Sequence, residues 1–461
     1  MGKSGALIQD LILDLPVKLQ EIRSLKIEQR FHDHGTACLT GILKEDNQEA
    51  IHRLNSQTKV TIKIKEEGGE KIIFCGIPVS VTIKHGYDGY CMSLCLKSHS
   101  FSTDILKKSR SFQNSDNPYK SLFQSILQEY GGDTFDAASQ GAVQKSPLIQ
   151  YEETDWEFIK RAASRIGAGV FPDICSDRPR IYIGIPEGNN SGETGMDYSL
   201  EKDMGDYLKV QKKDGGRAEQ EALSCCFKSR KDYQLGDKIS CRGTVLIVSE
   251  KIAEMKEGIL EYRYRLRGKG GLKQTNQYHS RLRGLSIDGQ VLDIEEDKVK
   301  VHLSIDQDQD EGEAAWYPFH TSYAAEGSAG FYSMPQTGDS VQLYLPDADE
   351  KKAYVRAVIR QDGETNQKVH NPAIKYYGTT DGKEIKLSPE ELTLSAVEDT
   401  LYLKMDHESG IEIRSHKDIN IKAGKQLSAT CQKMEIKSNE KIVLATYSAG
   451  MIVDDVVHIK G

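Results

Sequence analysis

The sequence predicts a mainly β protein: two β-barrels with inserted helices, then a barrel of the OB type, then a C-terminal trimeric triangular β-prism, a form of β-helix. Three observations predict it. Apolar and polar residues alternate over roughly the first 100 residues, such runs return after residue 206, and apolar triplets recur through the C-terminal segment. At ~150 residues per domain, 461 residues make about three domains.

The N-terminal half of the chain divides into two predicted parts. Residues 1–105 are predicted to form the first barrel, because segments such as SLKIEQRF and KVTIKIK place apolar side chains on one face of a strand. Residues 106–205 are predicted to be a helical and mixed insertion. One helix is predicted to follow Asn117 as its N-cap. A second helix is predicted to begin at Thr154, where Glu157 completes a capping box.

Three further parts are predicted beyond the insertion. Residues 206–275 are predicted to form the second barrel, residues 281–362 the OB-type barrel, and residues 380–461 the β-prism. Residues 281–362 contain 16 acidic and 8 basic side chains, and the whole chain has a net charge of −8. Because an OB barrel that binds single-stranded nucleic acid needs a basic groove, nucleic acid is excluded as a partner.

A repeat of apolar–polar–apolar triplets occupies residues 380–461. Each triplet places two apolar side chains on one face of a short strand, and successive triplets mostly start 7 to 9 residues apart. Such a chain forms a narrow sheet with one open apolar face, and three copies close that face into a triangular prism. The predicted trimer core consists of Ile411, Ile413, Ile419, Ile421, Met434, Ile436, Ile442 and Leu444.

Three patches of the sequence resemble a known family. They are TDILKKSRSFQN (103–114), QYEETDWEFIKRAASRIGAGVF (150–171) and the segment from WYPF to AGFYSMPQTGDSVQLYLP (316–346). With the order of the parts, they make the chain similar to the valine-glycine repeat protein G (VgrG) family and to the late-control and hub proteins of contractile phage tails. The residues at the positions of the family's OB-barrel motif are Gly330, Pro335, Gly338, Asp339 and Val341.

The resemblance implies a mechanical role in a contractile injection apparatus. It implies that the two N-terminal barrels form a trimeric hub, the OB barrel a neck and the prism a needle. The implied partners are the tail tube, baseplate proteins, a PAAR-like tip protein or effector, and the envelope of the target cell. The sequence does not distinguish the type of particle, which is a phage tail, a tailocin, a type VI-like system or an extracellular injection system. The alternative function is a trimeric β-fibre adhesin or a carbohydrate-binding tail protein.

No catalytic residue, cofactor site or metal site is predicted. A Gly-x-Ser-x-Gly nucleophile motif is absent from the sequence, and we expect the chain not to be an enzyme. His32 and His34 form a His-x-His pair, which on a strand projects both rings to one face, as a metal site requires. Because no third ligand lies nearby in the sequence, an exposed strand and turn is the favoured interpretation and a metal site the alternative.

The sequence also predicts where the protein is made. No apolar stretch approaches the ~18 residues of a membrane span, and Asp10 and Asp14 interrupt the apolar N-terminal run. The 9 cysteines are odd in number and contain no Cys-x-x-Cys pair, so a secreted disulfide framework is not expected. We expect assembly in the cytoplasm, into a phage-tail-like particle that is released or fired outward.

Overall fold

A computed structural model describes residues 6–44, 50–66, 68–87, 89–195, 197–205, 207–208, 218–321, 323–324, 330–357, 366–454 and 457–460. The chain divides into two compact units, Met1–Val358 and Ile359–Gly461. Strands account for most of the regular structure in both units, which confirms the mainly β fold class. Among the described residues, every helix is too short or too polar to cross a membrane.

The first strands of the chain alternate buried and exposed side chains, as their sequence predicts. Along one of them Val60, Ile62 and Ile64 are buried, while the residues between them are partly exposed. The elements are the 3₁₀ turn Ile8–Asp10, β1 (Leu11–Asp14), β2 (Leu19–Arg30), β3 (Thr36–Leu43), α1 (Ala50–Arg53), β4 (Val60–Glu66), β5 (Gly69–Gly86), β6 (Gly89–Ser98) and the 3₁₀ turn His99–Asp104.

A module of helices and short strands follows, which we call the helical module (residues 107–183). The capping box is confirmed: Glu157 N donates to Thr154 Oγ1 at 3.2 Å, and Thr154 N donates to Glu157 Oε2 at 3.1 Å. The predicted N-cap at Asn117 is wrong, because Pro118 is still extended and the helix begins one residue later. The elements are β7 (Lys107–Phe112), α2 (Tyr119–Gln128), β8 (Asp133–Asp136), β9 (Leu148–Thr154), α3 (Asp155–Ser164), β10 (Val170–Pro172) and β11 (Arg180–Ile183).

The strands after the helical module join the first strands in one 12-stranded sheet. The sequence predicts two successive barrels for these two groups of strands. In the structure the two groups pair edge to edge, with Arg30 opposite Glu250. The order is β1-β4-β5-β6-β3-β2-β16-β17-β14-β13, with β15 beside β16 and β12 beside β15. The elements are β12 (Asn190–Glu193), β13 (Tyr198–Lys202), the 3₁₀ turn Glu219–Ala222, β14 (Leu223–Ser229), β15 (Lys238–Cys241), β16 (Thr244–Lys256), β17 (Ile259–Arg267) and the 3₁₀ turns Gly270–Leu272 and Ser280–Leu282.

A five-stranded sheet in the order β20-β19-β18-β23-β24 follows. A parallel bridge between Phe319 and Val355 links its two end strands, so the sheet curves back on itself around a buried aliphatic core. A side chain at Gly289 would meet the carbonyl oxygen of His302, so glycine allows two strands to approach closely here. The elements are β18 (Leu285–Glu295), β19 (Lys298–Leu303), β20 (Trp316–Pro318), β21 (Tyr323–Ala324), β22 (Gly330–Phe331), β23 (Ser340–Leu345), the 3₁₀ turn Glu350–Lys352 and β24 (Tyr354–Ala357).

The helical module and the five-stranded sheet share a cluster of four charged side chains, three of them buried and Arg165 partly buried, which we call the joint: Glu153, Arg161, Arg165 and Glu350. The Glu350 carboxylate accepts from Arg161 Nη1 at 2.5 Å and from Arg165 Nη2 at 2.6 Å. Arg161 Nη2 also donates to Glu153 at 2.9 Å. Since two positive charges meet two negative charges in a water-poor site, each charge is compensated.

The second unit contains two groups of short strands. Five strands form an antiparallel meander, which we call the C-terminal sheet, and three more form a second meander. The trimeric prism stays a prediction about this unit, as the OB-type barrel stays a prediction about residues 281–362. The elements are the 3₁₀ turn Gln367–Val369, β25 (Lys375–Gly378), β26 (Glu384–Leu387), β27 (Glu391–Val397), β28 (Leu401–Asp406), β29 (Gly410–Arg414), β30 (Ile442–Ala445), β31 (Gly450–Val453) and β32 (Val457–Lys460).

Candidate functional site

One face of the C-terminal sheet is apolar, because its strands pair in a register that aligns their apolar positions. In the first row of cross-strand neighbours, Ile385 lies opposite Leu394, Leu394 opposite Leu403, and Leu403 opposite Ile413. Side chains alternate between the two faces of a strand, so all members of a row share one face. A second, parallel row consists of Leu387, Leu392, Met405 and Ile411.

The opposite face of the same sheet is charged. Lys386 Nζ lies 2.5 Å from one carboxylate oxygen of Glu391, and Lys404 Nζ lies 2.7 Å from the other. These two hydrogen bonds, Lys386 first, lower the pKa of Glu391 below its usual range. Nearby, Tyr402 Oη donates to Glu412 at 2.9 Å. A sheet with one charged and one apolar face lies in water on its charged side and needs a cover on the other.

The apolar face has no cover within the described residues of the second unit. Ile411 is 71% exposed and Ile413 is 59% exposed, although both project from a regular strand. Isoleucine is among the side chains most often found fully buried in folded proteins, and a contiguous exposed apolar patch marks an interaction site. The C-terminal sheet is therefore the candidate functional site.

The segment between the two meanders, residues 415–441, continues the apolar pattern without forming a strand. Every residue in it is described, and none takes part in a strand or in a backbone–backbone hydrogen bond with another described residue. Backbone N–H and C=O groups without protein partners must bond to water or to another chain. Its exposed apolar side chains are Ile419, Ile421, Leu427, Met434 and Ile436.

The second meander repeats the arrangement of the first. Ile442 lies opposite Val453 and Leu444 lies opposite Met451, which places four apolar positions on one face. Of the eight residues predicted to form the trimer core, seven are exposed in the single chain and Ile442 is half-buried. Their place around a three-fold axis stays a prediction. The prediction omitted the apolar rows of β26 to β28, although the same triplet repeat marks them.

The His-x-His pair has an environment different from the predicted exposed turn. His34 is buried: its Nδ1 lies 2.9 Å from Ser100 Oγ and its Nε2 lies 3.2 Å from Asp104 Oδ2. The exposed interpretation is therefore wrong for His34, because residues about 70 positions away in sequence fold over it. Burial lowers the pKa of His34 to about 4, so the ring is neutral at pH 7. Within the described residues no cluster of three or more potential metal ligands occurs.

Ser100, His34 and Asp104 resemble the constellation of a serine hydrolase in residue type. Ser100 has no solvent-accessible surface, and its Oγ also lies 2.9 Å from Ser98 Oγ. A nucleophile must reach the reacting atom of a substrate, and this hydroxyl meets only protein. The three residues therefore form a hydrogen-bond network that fixes the 3₁₀ turn His99–Asp104 to the segment just before β3.

Comparisons with known proteins bear on the fold. No protein-family model and no curated protein matches the chain. The E. coli c3393 protein, described as a component of the type VI secretion system with structural similarity to the T4 bacteriophage tail proteins gp27 and gp5, has a similar structure. The TM-score is 0.53 at 11% identity, over 75% of this chain and 98% of that one.

A chain of the lidded Francisella PdpA–VgrG complex and a chain of the lidless PdpA–VgrG complex are similar as well. The lidded complex has a TM-score of 0.53 at 10% identity, over 86% of this chain and 76% of that one. The lidless complex has a TM-score of 0.51 at 10% identity, over 86% of this chain and 93% of that one. The chain therefore shares its fold with this type VI secretion component and with chains of the PdpA–VgrG complexes. At the level of the fold, this confirms the resemblance to VgrG that the sequence indicates.

Proposed function

We propose that the chain is the structural hub and spike of a contractile injection apparatus and that it acts as a homotrimer. The N-terminal unit joins the tail tube and baseplate, and the C-terminal unit forms a needle that pierces the envelope of a target cell. The needle tip carries a PAAR-like protein or an effector. The spike makes and breaks no covalent bond. The fold shared with the type VI and Francisella proteins supports a structural role in a tail or spike.

The uncovered apolar face of the second unit carries this proposal. Exposed apolar side chains occur on the C-terminal sheet, in segment 415–441, which has no strand, and on the second meander. Burying an aliphatic side chain contributes ~1.5–3 kcal/mol. Eight of them contribute on the order of 10 kcal/mol per chain. A free chain lacks this stabilisation, and a complex that covers the apolar face gains it.

Two further copies of the same chain are the proposed cover. On the C-terminal sheet and on the second meander the apolar face is two side chains wide, and three such faces turned towards one axis enclose a triangular core. A copy also supplies the same repeat spacing, so the apolar positions coincide level by level. In residues 415–441 the unpaired backbone bonds to neighbouring copies, which accounts for a strand-like pattern that has no partner among the described residues of its own chain.

The first test is the mass of the protein in solution. Full-length protein is expected near three times 51.5 kDa by light scattering, and a protein truncated before Asp381 is expected to lose or loosen the trimer. If both proteins are well-folded monomers at micromolar concentration, the proposed cover of the apolar face is wrong.

The second test introduces a carboxylate on either face of the sheet. Ile413→Asp places up to three carboxylates around one axis, and each buried unpaired charge costs several kcal/mol. We expect it to abolish the trimer. Thr393→Asp is the matched control, since Thr393 lies on the charged face opposite Lys386 and Lys404 and an added carboxylate there stays in water. Equal melting temperatures for the two variants would refute the assignment of faces.

The role in the particle needs its own test. Contractile particles purified from the producing cell are expected to contain the chain at one end of the tail tube, three copies per particle, by quantitative mass spectrometry and labelling of a tagged chain. Particles that assemble, contract and inject normally without the chain would contradict the hub-and-spike role, whatever its oligomeric state.

A further inference from the structure

Two buried cysteines of the large sheet lie in direct contact. The Sγ atoms of Cys225 on β14 and Cys241 on β15 are 2.8 Å apart. Both side chains belong to the apolar core of the sheet, and both are reduced. A disulfide has an S–S distance of ~2.05 Å, so a shift of less than 1 Å separates the contact from a bond.

The two strands that carry these cysteines are not neighbours in the sheet. β17 and β16 lie between β14 and β15, and each strand pairs with the next through backbone hydrogen bonds. The two sulfur atoms therefore meet across the concave side of a curled four-stranded segment. Among the described residues, β14 and β15 share no backbone pairing, so side chains alone close this part of the sheet.

The neighbouring cysteine on the same strand provides an internal comparison. Cys226 follows Cys225 in β14, and successive residues of a strand point to opposite faces. Cys226 is partly exposed and lies opposite Arg265 of β17 on the outer face. The sequence alone does not distinguish the two cysteines, whereas the structure gives only Cys225 a sulfur partner inside the core.

We propose that Cys225 and Cys241 are an oxidation site: in the presence of a low-molecular-weight disulfide they form an intramolecular disulfide that closes the curled segment covalently. The thiolate of one cysteine attacks the oxidant, forms a mixed disulfide and releases one thiol. The second cysteine attacks the protein sulfur of the mixed disulfide and releases the second thiol. Two protein thiols and one oxidant disulfide thus become one protein disulfide and two small thiols, and the two protons go to those thiols.

Burial sets the rate of this reaction. It raises the pKa of the Cys225 thiol to about 12, with a further contribution from the adjacent Cys241 thiol. Because the thiolate is the reactive form, the folded and reduced protein reacts slowly. Formation is fast when the segment opens or while the chain folds in an oxidising medium. The bond closes a loop between positions 16 residues apart, so it restricts the unfolded chain and raises the melting temperature.

The test uses full-length protein and glutathione disulfide. Protein is unfolded in urea, refolded with glutathione disulfide and glutathione, alkylated, and mapped by peptide mass spectrometry without reduction. We expect a peptide pair linked through Cys225 and Cys241, and a melting temperature several degrees above that of the reduced protein. Cys241→Ser is expected to lose both, and Cys226→Ser is expected to keep both.

Each other outcome overturns the proposal. Refolded protein in which Cys225 and Cys241 are both alkylated shows that the bond does not form. A loss of 2 Da that maps to Cys38 and Cys95, which lie opposite each other on β3 and β6, places the oxidation site elsewhere. A linked pair with an unchanged melting temperature shows that the bond does not stabilise the segment. None of these results depends on whether the chain forms a spike.

Discussion

The joint between α3 and the five-stranded sheet predicts a large effect for one neutral substitution, Glu350→Gln. The Glu350 carboxylate is buried and bonds to both Arg161 and Arg165. Glutamine keeps the shape but leaves the buried Arg161 and the partly buried Arg165 with only Glu153 as a counter-charge. Breaking a buried ion pair by removing one partner costs ~3–5 kcal/mol. We expect the free energy of unfolding of the five-stranded sheet to fall by about 3 kcal/mol.

The two tryptophans of the chain make this loss of stability in the five-stranded sheet measurable. Trp156 lies on α3 and Trp316 lies on β20, so each side of the joint has one reporter. Variants with a single tryptophan, Trp156→Phe or Trp316→Phe, are unfolded in urea and followed by fluorescence. With Glu350 present we expect both reporters to unfold at one midpoint. With Glu350→Gln we expect the Trp316 signal to change first, at a clearly lower urea concentration.

A second Glu→Gln substitution serves as the control. Glu152 Oε2 lies 2.8 Å from Arg281 Nη1, but both side chains are more than half exposed, so Glu152→Gln is expected to cost less than ~1 kcal/mol. If Glu350→Gln lowers the midpoint no more than Glu152→Gln, or if the two reporters still unfold together, the argument from buried charge is wrong.

Two further substitutions test the interior of the N-terminal unit. The pKa of His34 is about 4 in the folded protein and 6.5 unfolded. The free energy of unfolding therefore falls by about 3 kcal/mol as the pH falls from 6.5 to 4. His34→Gln is expected to make the urea midpoint depend less on pH across that range. Burial alone would raise the pKa of Asp232, but Lys251 and then Lys71 outweigh it and lower the pKa. Asp232→Asn leaves the buried Lys251 without its carboxylate partner where the two strand groups meet, so we expect a loss of about 3 kcal/mol in thermal or urea unfolding. An unchanged midpoint would contradict this.

Local features of the chain were predictable because their causes lie within a few residues. The start of α3 depends on Thr154 and Glu157, which are three positions apart, and the structure contains both hydrogen bonds of the capping box. The apolar rows of the C-terminal sheet follow from a period of two along each strand. The repeat spacing indicates that these strands succeed one another as a meander. Pro118 shows where such reasoning fails by one residue, since its bridge to Val143 keeps it extended.

Contacts between distant parts of the chain were not predictable from the same patterns. Periodicity assigns a side chain to a face, but it does not say which segment will cover that face. His34 appears exposed in its own segment and is buried by Ser100 and Asp104. The pairing of β2 with β16 and the bond between Arg161 and Glu350, 189 positions apart, depend on the free energy of the whole folded chain. Short-range chemistry thus predicted the strands, the helix start and the apolar repeat, and long-range packing set the single large sheet, the buried charges and the contact between Cys225 and Cys241.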